Sequence, residues 1–140
     1  MTAAIPPIDR IVAVPVRAAT AWAAITDPDR IAEWFTDASP LGRPGDAYRL
    51  DFGDGSVVEG EVVAVEPRRS FAHTWHWAGA PDSETTTVRW SVEASGEGAT
   101  IRLVHDGWAE AGLDRQARDD HDDYWVGYVE DLEAVLRGQR

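Results

Sequence analysis

The order of local patterns along the chain is the feature that most constrains its fold. An alternating segment at residues 8–16 precedes two short helical stretches within residues 18–35, then a long strand-like region and an amphipathic helix from Asp119 to Leu136. A curved sheet that wraps one helix encloses space between the two layers. The order therefore predicts an α+β domain in which an antiparallel sheet wraps a long C-terminal helix, with two short helices after the first strand.

The strand-like region alternates apolar and polar residues with a period of two, as half-buried strands do. Pro15 indicates an edge strand or the end of the first strand, and the glycine-containing segments at residues 53–55 and 79–83 are predicted turns that join antiparallel neighbours. The predicted strands are residues 8–16, 48–52, 57–65, 71–77, 86–92 and 101–105, with loops at 36–46 and 107–118.

Helical segments are predicted from capping signals and from apolar spacing. Asp27 precedes Pro28, and this pair favours a helix start because the carboxylate accepts from free amides and proline needs no N–H in the first turn. A second short helix is therefore predicted over residues 28–35. In the last helix, Trp125 and Leu132 share one face. The acidic run at residues 119–123 lies at the positive end of that helix, where its dipole favours anions.

Composition limits the classes of function. The 140 residues form one domain, 1–140, which is long enough to bury a sizeable core. The net charge of −12 repels phosphate groups, so neither nucleic acid nor a membrane is an expected partner. No segment has the pattern of a membrane span or a signal peptide, so a cytoplasmic location is expected. Because the chain has no cysteine, disulfides and cysteine nucleophiles are excluded.

Five segments in a fixed order resemble one known family. They are AWAAITDP (21–28) with Trp34 and Phe35, GEVVAVEP (60–67), FAHTWHW (71–77), ATIRLVHDGW (99–108) and the helix from Trp125 to Leu132. Over most of its length the chain resembles the START/Bet v 1-like (SRPBCC) superfamily of helix-grip proteins. Within that superfamily it is similar to bacterial domains that resemble the C-terminal domain of Aha1, the activator of the Hsp90 ATPase.

The resemblance implies a helix-grip fold with a cavity between the sheet and the last helix. Related folds bind lipids, sterols, hormones and polyketides, and some are cyclases or hydrolases. A protein-interaction or chaperone-regulating role like that of the Aha1 domain is a further alternative. Where the family often has glycine before the tryptophan of the terminal helix, this chain has Tyr124, whose ring would narrow the cavity or reshape its entrance.

The first functional hypothesis is a cofactor-free protein that binds a small hydrophobic or aromatic ligand. Aromatic walls with few polar groups suit a flat or apolar molecule. His73 and His105 share strand faces with apolar residues, so both would point inwards and could orient that molecule. The predicted ligand-binding residues are Trp34, Phe35, Tyr48, His73, Trp75, Trp77, Trp90, His105, Trp108, Tyr124 and Tyr128. A homodimer is also compatible with the sequence, because exposed aromatic edges often form contacts between subunits.

The second hypothesis is a cofactor-free enzyme of the cyclase or hydrolase type. His73, His105 or Glu61 would supply acid–base chemistry, although no residue is assigned a catalytic role. Instead of a functional role, His73 and His105 could each be a hydrogen-bonded residue of the core. Glu61 and His76 are expected to face solvent. The run Asp-Asp-His-Asp-Asp at 119–123 contains metal-type ligands, but neighbours on a helix point in different directions, so no metal site is expected.

Overall fold

The computed structural model describes residues 4–138, and the elements follow the predicted order. They are β1 (Ile8–Val14), α1 (Ala18–Thr26), α2 (Pro28–Ile31), β2 (Asp37–Ala38), β3 (Ala47–Asp51), β4 (Val57–Glu66), β5 (Ser70–Trp77), β6 (Thr86–Ser95), β7 (Gly98–Asp106) and α3 (Arg115–Gly138). The α+β prediction, with two short helices after the first strand and a long helix at the end, is confirmed.

The strands form one curved antiparallel sheet in the order β1-β7-β6-β5-β4-β3-β2. The first and last strands are neighbours, with Ile8 opposite His105. In β6, Val88 and Trp90 are buried whereas Arg89 between them is exposed, so the inner face of the sheet packs on the core. The register between β4 and β5 shifts between Val62 and Ala64, and such a bulge increases the local bend of a strand.

The two short helices are joined at Asp27. Its side chain accepts a hydrogen bond from the Asp29 amide at 3.0 Å and caps α2. The predicted end of α2 at Phe35 is wrong, because the helix stops at Ile31. The amide of Trp34 then bonds to the Ile31 carbonyl three residues back, which is the tighter geometry of a turn. The predicted loop at 36–46 likewise contains the short strand β2.

The terminal helix starts earlier than predicted, at Arg115 rather than Asp119. Asp114 caps it, because the carboxylate accepts from the Ala117 amide at 2.9 Å. Trp125, Leu132 and Leu136 form its buried stripe, as predicted. Within the acidic run, Asp122 binds the Arg10 guanidinium through two hydrogen bonds of 2.9 and 2.6 Å, which fastens α3 to β1.

Among residues 4–138, no helix is both long and apolar enough to pass through a lipid bilayer. Away from its buried stripe, α3 carries exposed acidic residues, among them Asp120, Asp123 and Glu130. Its apolar stripe faces the sheet, and this position sets the geometry of the site.

Candidate functional site

A cavity of about 430 Å³ lies between the inner face of the sheet and α3. Three parts of the chain form its walls: the turn between β3 and β4, the C-terminal half of β5, and the middle of α3, with the segment after α2 completing one side. Its lining residues are Phe35, Thr36, Phe52, Asp54, Ser56, Trp75, Trp77, His121, Tyr124, Trp125 and Tyr128. Seven of these eleven residues carry Phe, Tyr or Trp rings, so the walls are mainly aromatic.

The rings on opposite walls touch one another. Phe35 and Tyr128 meet edge to face with their ring centroids 4.6 Å apart. Phe52 lies 5.6 Å from Phe35 and 5.6 Å from Trp77. Gly53 and Gly55 adopt positive φ angles of 80° and 96°, which let the chain turn tightly and carry Phe52 to the cavity wall. The aromatic walls therefore depend on this hairpin as well as on β5 and α3.

His121 connects α3 to β5 at the edge of the cavity. Its Nδ1 lies 2.7 Å from the Ala117 carbonyl, which can only accept, so Nδ1 carries the proton. Its Nε2 then accepts from the indole N–H of Trp77 at 3.0 Å. Burial lowers the pKa of His121 below its usual value, so the ring is neutral at pH 7.

A second imidazole, His105, lies behind the cavity wall in a fully buried position. Its Nδ1 accepts from the indole N–H of Trp125 at 3.0 Å, so its proton is on Nε2. That Nε2–H donates to the hydroxyl of Thr86 at 2.7 Å. Burial is the main cause that holds the pKa of His105 well below its usual range, and the neighbouring His121 and His73 add to it. Both ring nitrogens are thus engaged within the protein.

Trp75 differs from the other two indoles at the cavity. Its side chain is only 5 % exposed, and its Nε1 has no hydrogen-bond partner among the described residues. Among residues 4–138, the cavity lining contains no lysine or arginine, and Asp54 at the rim is its one carboxylate. Hydrogen bonds from Ser56 lower the pKa of Asp54, so this carboxylate is ionised at neutral pH. The site therefore combines apolar rings, the hydroxyl groups of Tyr124 and Tyr128, and one negative charge.

The structure separates the eleven predicted ligand-binding residues into two groups. Five of them line the cavity: Phe35, Trp75, Trp77, Tyr124 and Tyr128. The other six are buried in the core and do not line it: Trp34, Tyr48, His73, Trp90, His105 and Trp108. Glu61 is exposed, as expected. His76 was expected to face solvent, which is wrong, because its side chain is 16 % exposed and its Nε2 bonds to the Ala80 carbonyl at 2.9 Å.

Six lining residues were not predicted from the sequence: Thr36, Phe52, Asp54, Ser56, His121 and Trp125. A signal was present for His121, because it lies four residues before Trp125 and helical spacing places both on one face. The face that Trp125 shares with Leu132 predicts a core position for it, and Trp125 is both buried and part of the cavity wall. Within residues 4–138, no group of three or more histidine or carboxylate side chains is arranged to hold a metal ion.

Several solved structures share this fold. DynU16, a protein of the dynemicin biosynthetic locus, has a TM-score of 0.83 and 28% sequence identity over 93% of this chain, which spans only 46% of DynU16. CalU16 from Micromonospora echinospora has a TM-score of 0.77 and 22% identity, with 93% of this chain and 75% of CalU16 covered. The Aha1 dimer from Colwellia psychrerythraea has a TM-score of 0.75 and 21% identity, with 94% of this chain and 96% of that protein covered.

Sequence comparison gives the family directly. No curated protein matches the chain significantly. A family model described as activator of Hsp90 ATPase homolog 1-like protein matches residues 15–137, which is most of the chain. The matched range begins after β1 and includes the cavity-lining segments of β5 and α3. The chain belongs to the activator of Hsp90 ATPase homolog 1-like family, within the START/Bet v 1-like superfamily.

Proposed function

We propose that the protein binds a small, flat and mainly apolar molecule in the cavity between the sheet and α3. The observation that carries the proposal is the aromatic lining of a cavity of about 430 Å³. This volume lies within the range of about 300–1,000 Å³ that is usual for small-molecule sites. A helix-grip fold in this family is consistent with ligand binding, and the wall composition favours a ligand with a π face.

The hydrogen bonds of the histidines favour binding over acid–base catalysis. His121 and His105 use both ring nitrogens within the protein, so neither has a free nitrogen for a substrate. His73 and Glu61, the other acid–base candidates, do not line the cavity. A general base must lie within hydrogen-bond reach of the proton that it removes. The cyclase or hydrolase alternative stays a prediction that no contact in the cavity favours.

Calorimetric titration with the tricyclic hydrocarbon fluorene, supported by thermal shift, tests the proposal. Ser56→Phe places a ring at the cavity wall and should weaken binding at least about tenfold, which corresponds to about 1.4 kcal/mol. The control is Ser83→Phe, in the exposed turn that follows β5, which should leave affinity unchanged. The proposal would be contradicted if fluorene and larger polycyclic probes gave neither a heat of binding nor a shift in the melting temperature. It would also be contradicted if Ser56→Phe and Ser83→Phe bound fluorene with equal affinity.

Other partners predicted from the sequence stay proposals. The Colwellia psychrerythraea relative is a dimer, which supports a homodimer here. Two exposed apolar side chains, Ile11 on β1 and Val63 on β4, are four strands apart, or roughly 19 Å at the usual strand spacing, and do not form one patch. Sedimentation velocity over a range of concentrations tests the homodimer. A chaperone-regulating role and a cytoplasmic location stay predictions.

A further inference from the structure

The negative charge at the rim of the cavity is not balanced by the protein. Within the described part of the chain, Asp54 is the one carboxylate of the lining, and it forms no ion pair with an arginine or a histidine. By contrast, Asp51 in the same hairpin pairs with Arg49 at 3.7 Å. The cavity therefore presents a carboxylate that still has room for a positively charged partner.

The position of this carboxylate is fixed by the turn that carries it. The Ser56 amide donates to Oδ1 of Asp54 at 2.9 Å, and this hydrogen bond is the main cause that lowers the pKa of Asp54. The amide oxygen of an asparagine could accept the same bond, and asparagine suits such turns equally well. The turn therefore explains the position of the side chain but does not require its negative charge.

The charge of Asp54 acts on the opposite wall of the cavity. Burial is the main cause that raises the pKa of the Tyr128 hydroxyl on α3, and the charge of Asp54 adds to it, followed by Tyr124 and Asp131. The hairpin thus places its negative charge close enough to affect a side chain of the helix. The net charge of −12 has the same sign, and a cleft concentrates such a field. A cation is therefore attracted to the cavity and an anion is repelled.

The aromatic walls suit a positive charge as well as an apolar surface. The face of an aromatic ring attracts a cation that lies within about 6 Å of its centroid. The rings of Phe35, Phe52 and Tyr128 share the lining with Asp54, and their centroids are 4.6 to 6.3 Å apart. An anion would find no such partner, because the described lining has no arginine and His121 is neutral.

We propose that the cavity selects a flat aromatic molecule that carries an ammonium group, with its rings among the aromatic side chains and its positive charge at the rim beside Asp54. This inference rests on the proposed function, because it names the chemical class that the same cavity would take. It excludes aromatic acids and fatty acids as preferred ligands. It also gives Asp54 a role in specificity that is separate from its role in the turn.

Calorimetric titration with three fluorenes of similar size tests the charge of the ligand. They carry a trimethylammonium, a tert-butyl or a carboxylate group at ring position 2, and the first two have the same shape and differ only in charge. The wild-type protein should bind the trimethylammonium probe about threefold more tightly than the tert-butyl probe, as expected for a partly exposed contact between a cation and aromatic rings. The carboxylate probe should bind most weakly.

Asp54→Asn tests the carboxylate itself, because it removes the charge and keeps an acceptor for the Ser56 amide. It should weaken the trimethylammonium probe about threefold relative to the tert-butyl probe, which is the size expected of an exposed ion pair. The control is Glu93→Gln, which makes the same change in net charge. Glu93 is exposed on β6, seven residues beyond Thr86, which pairs with Trp75, or roughly 23 Å along the strand.

The wild-type protein alone also shows where the charge lies, so the proposal stays testable if Asp54→Asn fails to fold. Nuclear Overhauser contacts should join the methyl protons of the trimethylammonium group to the Ser56 amide and to the ring of Tyr128, which face the rim from the hairpin and from α3. Contacts of these methyl protons with Trp125 alone would place the charge deep in the cavity and overturn the proposal.

Each outcome separates this inference from the proposed function. Binding of none of the three probes would overturn both. If the tert-butyl or the carboxylate probe bound as tightly as the trimethylammonium probe, the ammonium class would be wrong and the cavity function would stand. If Asp54→Asn and Glu93→Gln weakened the trimethylammonium probe equally, the effect would come from net charge, and the role of Asp54 would be overturned.

Discussion

The indole N–H of Trp125 donates to Nδ1 of His105 across a distance of 3.0 Å, and this bond joins α3 to β7 between two almost fully buried side chains. This imidazole is neutral, since its Nδ1 must be unprotonated to accept from Trp125 and burial lowers its pKa. The helix is thus held to the sheet at the cavity by a directional bond in addition to apolar contact. The consequences for stability can be measured.

Thr86→Val should destabilise the protein by about 1–3 kcal/mol, because it removes the acceptor of the His105 Nε2–H and leaves a buried donor unpaired. The adjacent residue provides the control. Thr87 is exposed, so Thr87→Val should change the free energy of unfolding by no more than about 0.5 kcal/mol. Urea denaturation of both variants gives the comparison. Equal stability of the two variants would show that the bond to His105 contributes nothing.

Stability should depend on pH through the buried histidines. Burial lowers the pKa of His73 to about 4 and that of His105 well below its usual range, whereas both titrate near 6.5 in the unfolded chain. The unfolded state therefore binds more protons below pH 6.5, and the stability present at higher pH is lost as pH falls from 6.5 towards 4. The expected slope is about 1.4 kcal/mol per pH unit for each of these histidines.

Urea denaturation at pH 5.0 and at pH 7.5 measures this loss. His73→Phe removes one of the titrating histidines. It should lower the slope of the free energy of unfolding against pH by about 1.4 kcal/mol per pH unit. A free energy of unfolding that stays constant between the two pH values would contradict the neutral assignment of the histidines.

Two glycines should respond in opposite directions to the same substitution. Gly127 lies within α3, is exposed, and has open space where a Cβ would be, so Gly127→Ala should stabilise the protein by about 1 kcal/mol. Gly60 lies in β4 where an added Cβ would overlap the Thr74 carbonyl oxygen, so Gly60→Ala should destabilise it by about 1–3 kcal/mol. Thermal unfolding of the two variants shows whether each is more or less stable than the wild type. A Gly60→Ala protein as stable as the wild type would mean that β4 and β5 separate easily.

Tyr124 should control entry to the cavity. Its ring lines the cavity but is 70% exposed, so it lies at the rim and buries little surface. Tyr124→Ala should raise the association rate of fluorene several-fold by widening the entrance, while the free energy of unfolding changes by no more than about 0.5 kcal/mol. NMR line-shape analysis gives the exchange rates. The control is Glu130→Ala, an exposed position of α3 outside the lining, and identical rates for the two variants would place the entrance elsewhere.

The elements of the fold were readable from the sequence because their signals are local. Period-two alternation located the strands, and the stripe that contains Trp125 and Leu132 located α3. The start of α3 was missed because its first turn has no residue in that stripe, and the cap at Asp114 is a single carboxylate among many. The end of α2 was missed because a helical turn and a tighter turn differ little in composition.

The cavity was less predictable, since it depends on how distant elements close on one another. Alternation shows that Trp75 and His105 point inwards, yet only the position of α3 decides that Trp75 reaches the cavity and His105 lies behind its wall. Phe52 and Ser56 reach the lining through the hairpin between β3 and β4, which follows no apolar pattern. His121 was also missed, although its spacing of four residues from Trp125 was a local signal that could have placed it.

Five of the seven indoles form a continuous path from the core to the cavity. Trp34 lies 5.7 Å from Trp90, which lies 5.8 Å from Trp125. Trp125 in turn lies 5.3 Å from Trp75, and Trp75 lies 5.7 Å from Trp77. At such separations excitation energy can transfer from ring to ring before emission, so energy absorbed deep in the domain can be emitted by the indole with the lowest excited-state energy. The emission of these five indoles should therefore respond as one, so that a quencher beside Trp77 lowers the emission of rings that it never touches.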